Sequence, residues 1–90
     1  MARGEGLTIG KKYIVRAIPH CYTGELLAVT PTEIILGHAA WIAHTGKFST
    51  ALESGKLQYV EPYPDEVIVM RAVIADMSEW KHPLPRKAIG

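Results

Sequence analysis

The sequence has little of what nucleophilic enzymes and metalloproteins use. Only one of its 90 residues is a cysteine, Cys21, so no disulfide can form within the chain. No Cys-x-x-Cys or His-Glu-x-x-His spacing is present, and on a strand His20 and Cys21 would point to opposite faces. No carboxylate pair or phosphate-cradling glycine loop stands out either. We therefore expect no metal, no cofactor and no catalysis.

Long apolar runs are also missing. No run reaches the length of a bilayer-spanning helix, and the first residues, MARGEGLTIG, lack the apolar core of a signal peptide. Together with the single cysteine, this composition predicts a soluble, cytoplasmic protein with no membrane partner.

Charge of one sign is scarce, since the formal net charge is +1. That value is not typical of strongly basic nucleic-acid binders and, taken alone, favours a neutral interaction module. The distribution is uneven, because basic residues gather near both ends and acidic residues in the middle. A weakly charged chain can still present a strong local electrostatic field if a symmetric oligomer brings several copies of one surface together.

What the sequence does contain is a strong hairpin signal in Tyr22–Ala40. The segments Glu25–Val29 and Ile34–Leu36 are rich in Leu, Val and Ile, and the proline of the turn Thr30–Glu33 presets φ for a β-turn. Gly24 lies where the first strand is expected to bend sharply, as small barrels require at their corners.

Further elements follow from periodicity. Lys11–Ile18 alternates as a first strand should, and Leu57–Val60 predicts a short one. Apolar residues at helical spacing predict a short helix near Phe48–Leu52, which Gly55 ends. The chain is therefore expected to be all-β, a small antiparallel barrel of about five strands with one short helix inserted between strands.

Ninety residues allow one domain, spanning residues 1–90, with residues 1–10 as a mobile arm and residues 80–90 as an extended tail. The segment Val67–Met77 is almost continuously apolar, which is typical of burial on both faces. Because so small a barrel can hardly cover both, we expect a second subunit to do so. The predicted subunit-interface residues are Val67, Ile68, Val69, Met70, Ile74 and Met77.

Two segments resemble the motifs of the Sm-like family, which includes the LSm and Hfq-type proteins. The first motif is matched by Gly24, Leu26, Ala28, Val29 and Ile34–Leu36. The second is matched by Val69–Ile74, with Arg71 at its basic position. The chain departs from the family at three positions: Thr30 replaces an Asp, Thr32 a base-stacking aromatic, and Ala72 a Gly or His.

The whole chain also resembles Sm-like proteins of marine phage (cyanophage) and ocean-metagenome origin. The shared segments are Thr23–Leu26, Val29–Ile34, Leu36, Ala39–Ala43, Thr45-Gly46, Phe48, Glu79-Trp80 and His82–Pro85. This resemblance implies a bent five-stranded barrel that forms a closed homo-oligomeric ring, with a pentamer favoured. A phage origin would place it in the cytoplasm of a bacterial host.

In such a ring, every copy of Arg71 would converge near the axis, where guanidinium groups bind phosphates or stack on bases. The predicted nucleic-acid site therefore comprises Thr30, Thr32, Glu33, Arg71 and Ala72. Its expected partner is single-stranded RNA or DNA, with a role in RNA or DNA processing.

Two alternatives remain open. One is a structural ring of a phage, in which Arg71 only pairs with Glu33 or Asp76 of a neighbour. The other is a protein-interaction adaptor that uses Trp41, Phe48 and the tail.

Overall fold

The alternating apolar segments form one antiparallel sheet in the computed structural model, which describes residues 6–90. The strands are β1 Lys12–Ala17, β2 Cys21–Val29, β3 Glu33–His44, β4 Tyr59–Pro62, β5 Val67–Met70 and β6 Ile74–Glu79. Helix α1, Phe48–Ser54, lies between β3 and β4, and a short 3-10 helix, Arg71–Val73, joins β5 to β6.

The prediction of an all-β fold with one short helix is confirmed, with six strands where about five were expected. The additional strand arises because β4 and β5 both pair with β3, one after the other along the same edge. Pro64 lies in the segment between them, and proline has no amide to donate to a sheet. The remaining order across the sheet is β3, β2, β1 and β6.

Strands from both ends of the sheet contribute to the same apolar cluster, which shows that the sheet is curled. This first cluster has as its buried members Tyr13, Val15, Leu26, Ile34, Leu36, Ala39 and Val69. Ile74 and Met77 of β6 pack against it. A partly open barrel results, with the first cluster inside.

The opposite face of the sheet carries a second apolar cluster, which α1 and the end of the chain cover. Its buried members are Ile14, Ala40, Ile42, Ala51, Leu57, Val60 and Trp80. The alternation predicted for β1 is confirmed here, since Tyr13 and Val15 enter the first cluster while Ile14 enters the second.

The predicted hairpin and its bend are both present. The register of β2 against β3 shifts between Thr23 and Glu25, so the irregularity falls at Gly24. A Cβ at Gly24 would lie 2.9 Å from the Cβ of Leu36, which explains why glycine occupies the bend. The second strand is longer than the expected Ile34–Leu36, because β3 continues as far as His44.

Helix α1 ends as predicted. Gly55 adopts φ 77°, a left-handed conformation, and its amide donates to the carbonyl of Ala51. Ala51 is fully buried in the second cluster, with Phe48 and Leu52 partly buried beside it. These three apolar residues are the ones whose spacing predicted the helix.

The predicted tail, residues 80–90, is extended but packed on the sheet. Trp80 is 1% exposed and is the largest fully buried side chain. The His82 Nε2 lies 2.7 Å from the carbonyl of Leu52, and Ile89 exchanges two backbone hydrogen bonds of 2.9 Å with Val60. The tail therefore holds α1 against the second cluster.

The first part of the predicted arm, residues 1–5, lies outside the described residues. In the remainder, Leu7 packs on the first cluster, the amide of Thr8 donates to the Tyr13 hydroxyl at 2.8 Å, and that of Gly10 donates to the Leu26 carbonyl at 2.8 Å. This part of the arm is docked. No helix in residues 6–90 is long and apolar enough to cross a membrane.

Candidate nucleic-acid interface

The turn between β2 and β3 is stabilised by Thr30. The Thr30 amide donates to the carbonyl of Glu33 at 2.9 Å. Its Oγ1 accepts hydrogen bonds from the amides of Thr32 and Glu33, at 3.3 and 3.0 Å. Threonine is suited to this role because its hydroxyl reaches backbone groups two or three residues ahead. The two amides are thus already paired, so contacts from this turn to a ligand fall to its exposed side chains.

The second predicted segment, Arg71-Ala72, lies directly against this turn. The Arg71 amide donates to the carbonyl of Thr32 at 2.9 Å, and its Nη1 donates to the carbonyl of Thr30 at 2.8 Å. The pairing of β3 with β5, which places Glu33 opposite Met70, brings the two segments together. All five residues of the predicted site therefore lie at one corner of the sheet.

The corner is open and carries one cation. Thr32, Arg71 and Ala72 are exposed, and Thr30 and Glu33 are half-buried. Among residues 6–90, Arg71 makes no salt bridge, with Glu33 or any other carboxylate. Because a guanidinium has five N–H donors and the Thr30 carbonyl accepts from Nη1, the other nitrogens remain free to donate.

The predicted interface residues divide into two groups. Val69 is 4% exposed and belongs to the first cluster, which Val67, Ile74 and Met77 also join. Ile68 and Met70 point outward, with 54% and 50% of their surface exposed. The strand Val67–Met70 therefore alternates instead of being buried on both faces, and of the six predicted interface residues only Ile68 and Met70 are exposed within a single chain.

Two strand edges lie next to this surface. In the described part of the chain, β5 pairs only with β3 and β6 only with β1, which leaves one edge of each unpaired. Val73, between them, is 41% exposed, and the adjacent Ile18 is 75% exposed. Unpaired edges beside apolar side chains are typical surfaces for strand addition.

A group of aromatic residues on another part of the sheet was not predicted. Tyr22 is paired with Trp41 across β2 and β3, and Trp41 with Glu61 across β3 and β4. The Tyr22 and Tyr63 rings stack with their centroids 6.4 Å apart. The signal was absent from the sequence because these residues are far apart along the chain and meet only through the pairing of three strands.

A groove elsewhere on the surface is dominated by acidic side chains. It is lined by Glu25, Leu27, Gly37, His38, Pro64, Asp65, Glu66 and Arg86. Arg86 is engaged with backbone, since its two terminal nitrogens donate to the carbonyls of Ala39 and Tyr63 at 3.0 Å each. The arginine therefore stabilises the fold, and the groove does not favour a phosphate.

Neither metal binding nor thiol chemistry finds support in residues 6–90. These residues contain no group of three or more His, Cys, Asp or Glu side chains that could hold a metal ion. Burial raises the pKa of the half-buried Cys21 thiol, although Arg16 opposes this rise. A raised pKa lowers the fraction of reactive thiolate.

Comparison with known proteins gave no match to a family model, to a curated protein or to a solved structure.

Proposed function

We propose that this chain forms a closed homo-oligomeric ring, with a pentamer favoured, and binds single-stranded nucleic acid, preferentially RNA, without catalysing a reaction. One observation carries the proposal. The exposed Arg71 side chain lies against the turn Thr30–Glu33 and immediately beside the unpaired edges of β5 and β6. Association through those edges would bring several copies of this corner together.

The ring is supported by the surface around Arg71. Ile68, Met70 and Val73 expose apolar side chains next to strand edges whose backbone groups have no partner within residues 6–90. Antiparallel addition of β5 from one subunit to β6 of the next would satisfy these groups and cover the side chains. Repeating one such head-to-tail contact closes a ring when the rotation allows it. The resemblance to Sm-like proteins implies the same arrangement.

Nucleic-acid binding is supported by the chemistry of the corner. Arg71 can donate to a phosphate or stack on a base while keeping its bond to the Thr30 carbonyl. Contacts that are weak singly add up when several copies share one ring, because the second and later contacts are intramolecular. The net charge of +1 and Thr32 in place of an aromatic residue limit the affinity, which we expect to fall steeply as salt rises.

The two alternative hypotheses, a structural ring and a protein-interaction adaptor, are less well supported. In a purely structural ring Arg71 would pair with Glu33 or Asp76 of a neighbour, and at Asp76 it must compete with Arg16, whose Nε already lies 2.8 Å from an oxygen of Asp76 in the same chain. For an adaptor, Phe48 is covered by the Arg16 guanidinium, 5.0 Å from the ring centroid. The tail is likewise packed against the sheet, so of the three surfaces named for an adaptor only the half-buried Trp41 remains accessible.

Charge reversal at the corner provides the test. We expect Arg71→Glu to abolish filter binding of oligo-U, oligo-A and single-stranded DNA while light scattering still reports the ring. The matched control is Lys56→Glu, an equal change of charge at an exposed position just after α1. It should bind nearly as tightly as the parent at each of two salt concentrations.

Two results would count against the proposal. A stable monomer in light scattering at micromolar concentration would remove the ring. If the Arg71→Glu ring held RNA as tightly as the parent, the site would lie elsewhere and the structural ring would become the preferred reading.

A further inference from the structure

Three aromatic side chains and a carboxylate surround a groove at the edge of the sheet formed by β4. Trp41 and Glu61 face each other across β3 and β4, and Tyr63 follows two residues after Glu61. With Pro62, these residues line a groove of about 250 Å³. Tyr59 lies beside it, its ring centroid 6.2 Å from that of Trp41. At about 30 Å³ per water, the groove has room for a small organic group.

The rings that form the groove are held in place by their neighbours. The Trp41 indole is flanked by His20, at a centroid distance of 4.6 Å, and by Tyr59, and both rings lie nearly perpendicular to it. Tyr63 is fixed by its stacking on Tyr22 and by a hydrogen bond of 2.8 Å from its backbone amide to the carbonyl of Ala39. The groove therefore exists before a ligand arrives, which reduces the entropy lost on binding.

The groove is also negatively charged. Glu61 is exposed, and within residues 6–90 it takes part in no salt bridge. Its Oε2 accepts a hydrogen bond of 3.0 Å from the Tyr59 hydroxyl, and this bond raises the pKa of Tyr59. The carboxylate is thereby oriented beside the rings while its charge is not neutralised.

Aromatic rings beside a free carboxylate favour a cation. A quaternary ammonium group gains from both, and because it has no N–H it needs no hydrogen-bond acceptor. A phosphate would be repelled by Glu61, a sugar could donate hydrogen bonds to Glu61 but brings no cation to the rings, and a proline would gain nothing from the charge. We propose that the groove lined by Trp41, Glu61, Pro62 and Tyr63 binds a quaternary ammonium group, of the kind found in choline and in trimethylated lysine.

The test is a titration of the full chain with choline chloride, followed through the two indole N–H signals in NMR spectra. Trp80 serves as an internal reference, since it is 1% exposed and its Nε1 donates to the carbonyl of Pro83 at 3.2 Å. We expect a saturable shift of the Trp41 signal and little change at Trp80. The neutral isostere 3,3-dimethylbutan-1-ol should bind roughly ten-fold more weakly.

Variants distinguish the contribution of the Glu61 charge to choline binding from that of the aromatic rings. We expect Glu61→Gln to weaken choline binding by several-fold and to reduce the preference over the neutral isostere, since the shape is kept and the charge removed. The matched control Glu53→Gln changes an exposed carboxylate on α1 and should leave binding unaltered. Tyr59→Phe keeps the ring but removes the hydroxyl that orients Glu61, and it should have a smaller effect than Glu61→Gln.

Two peptides that differ only by trimethylation of one lysine identify the source of the group. Tighter binding of the trimethylated peptide than of choline would assign a protein partner, and the reverse order would assign a free small molecule. Equal binding of choline and its neutral isostere, or no saturable shift at Trp41, would overturn the proposal. A Trp41 shift produced by oligo-U in place of choline would do so too, because the groove would then belong to the nucleic-acid surface.

Discussion

The two apolar clusters of this chain are closed in different ways. The first, inside the curled sheet, is enclosed by strands and reaches the unpaired edges of β5 and β6, where Ile68 and Met70 are exposed. The second is covered by α1 and by the tail, which fixes Trp80 at its centre. Covering by a helix and an extended segment completes a core within one chain, whereas closure by strands leaves edges that can take a partner. The difference suggests that stability depends mainly on the second cluster and that the proposed ring would form at the margin of the first.

The largest expected effect comes from removing the centre of the second cluster. Trp80→Ala should lower the free energy of unfolding by about 3–5 kcal/mol, because it leaves a cavity and deletes the hydrogen bond to the carbonyl of Pro83. Urea denaturation followed by circular dichroism measures it. Val73→Ala, at a 41% exposed position, should change stability by less than about 1 kcal/mol. Equal losses in the two variants would show that Trp80 contributes no more to stability than an exposed side chain.

The next effect is on assembly. Ile68→Lys places a charge on the exposed margin of the first cluster, so we expect light scattering to report dissociation of the proposed ring into folded monomers. Val69→Lys provides the contrast, because Val69 is 4% exposed and a buried charge there should unfold the chain itself. A ring that survives Ile68→Lys would place the interface away from β5.

These contrasts also show which features the sequence predicts. The turn at Thr30–Glu33, the bend at Gly24 and the helix stop at Gly55 depend on local chemistry, and all three are found. The length of β3 was underestimated, because its second half is stabilised by β4, which follows only after the helix. The contact between Arg71 and Thr30 was expected only through resemblance, since it depends on pairing across 41 residues of sequence.

The aromatic groove is a clearer case of a feature that the sequence does not predict. Trp41 and Tyr63 have no local pattern that marks them as partners, and the register of β3 against β4 determines that they share a face. The position of Trp80 is a similar case. The sequence predicts only that the tail is extended, and the apolar face left open beside α1 explains why it packs.

A smaller effect concerns a polar atom in the covered face. Thr23 is fully buried, and its Oγ1 has no hydrogen-bond partner among residues 6–90. Its cross-strand neighbours Ile14 and Ala40 belong to the second cluster. Thr23→Val keeps the β-branched shape and removes the unpaired hydroxyl, so we expect the free energy of unfolding to rise by about 1 kcal/mol. Thr50→Val, exposed on α1, is the control and should give no such gain.

The smallest expected effect concerns the ion pair between Arg16 and Asp76, which connects the strands β1 and β6 beside helix α1. Arg16 on β1 binds both carboxylate oxygens of Asp76 on β6, at 2.8 and 3.1 Å from its Nε, and its guanidinium covers the Phe48 ring of α1. The bond from Arg16 is the main reason that the pKa of Asp76 lies below its ordinary value, with burial opposing it. A lowered pKa in the folded state contributes stability above the pKa of the unfolded chain, and this contribution is lost as the pH falls through the folded value.

Asp76→Asn should therefore lower stability slightly near neutral pH, and the difference from the parent should vanish in acid, below the folded pKa of Asp76. Both groups are exposed, so salt should reduce the difference as well. Chemical denaturation at a series of pH values provides the measurement, with Asp65→Asn, at an exposed position without a salt bridge in residues 6–90, as the control. A difference between Asp76→Asn and the parent that stayed constant down to acid pH would mean that Asp76 contributes through packing, and that the ion pair with Arg16 does not join the two clusters.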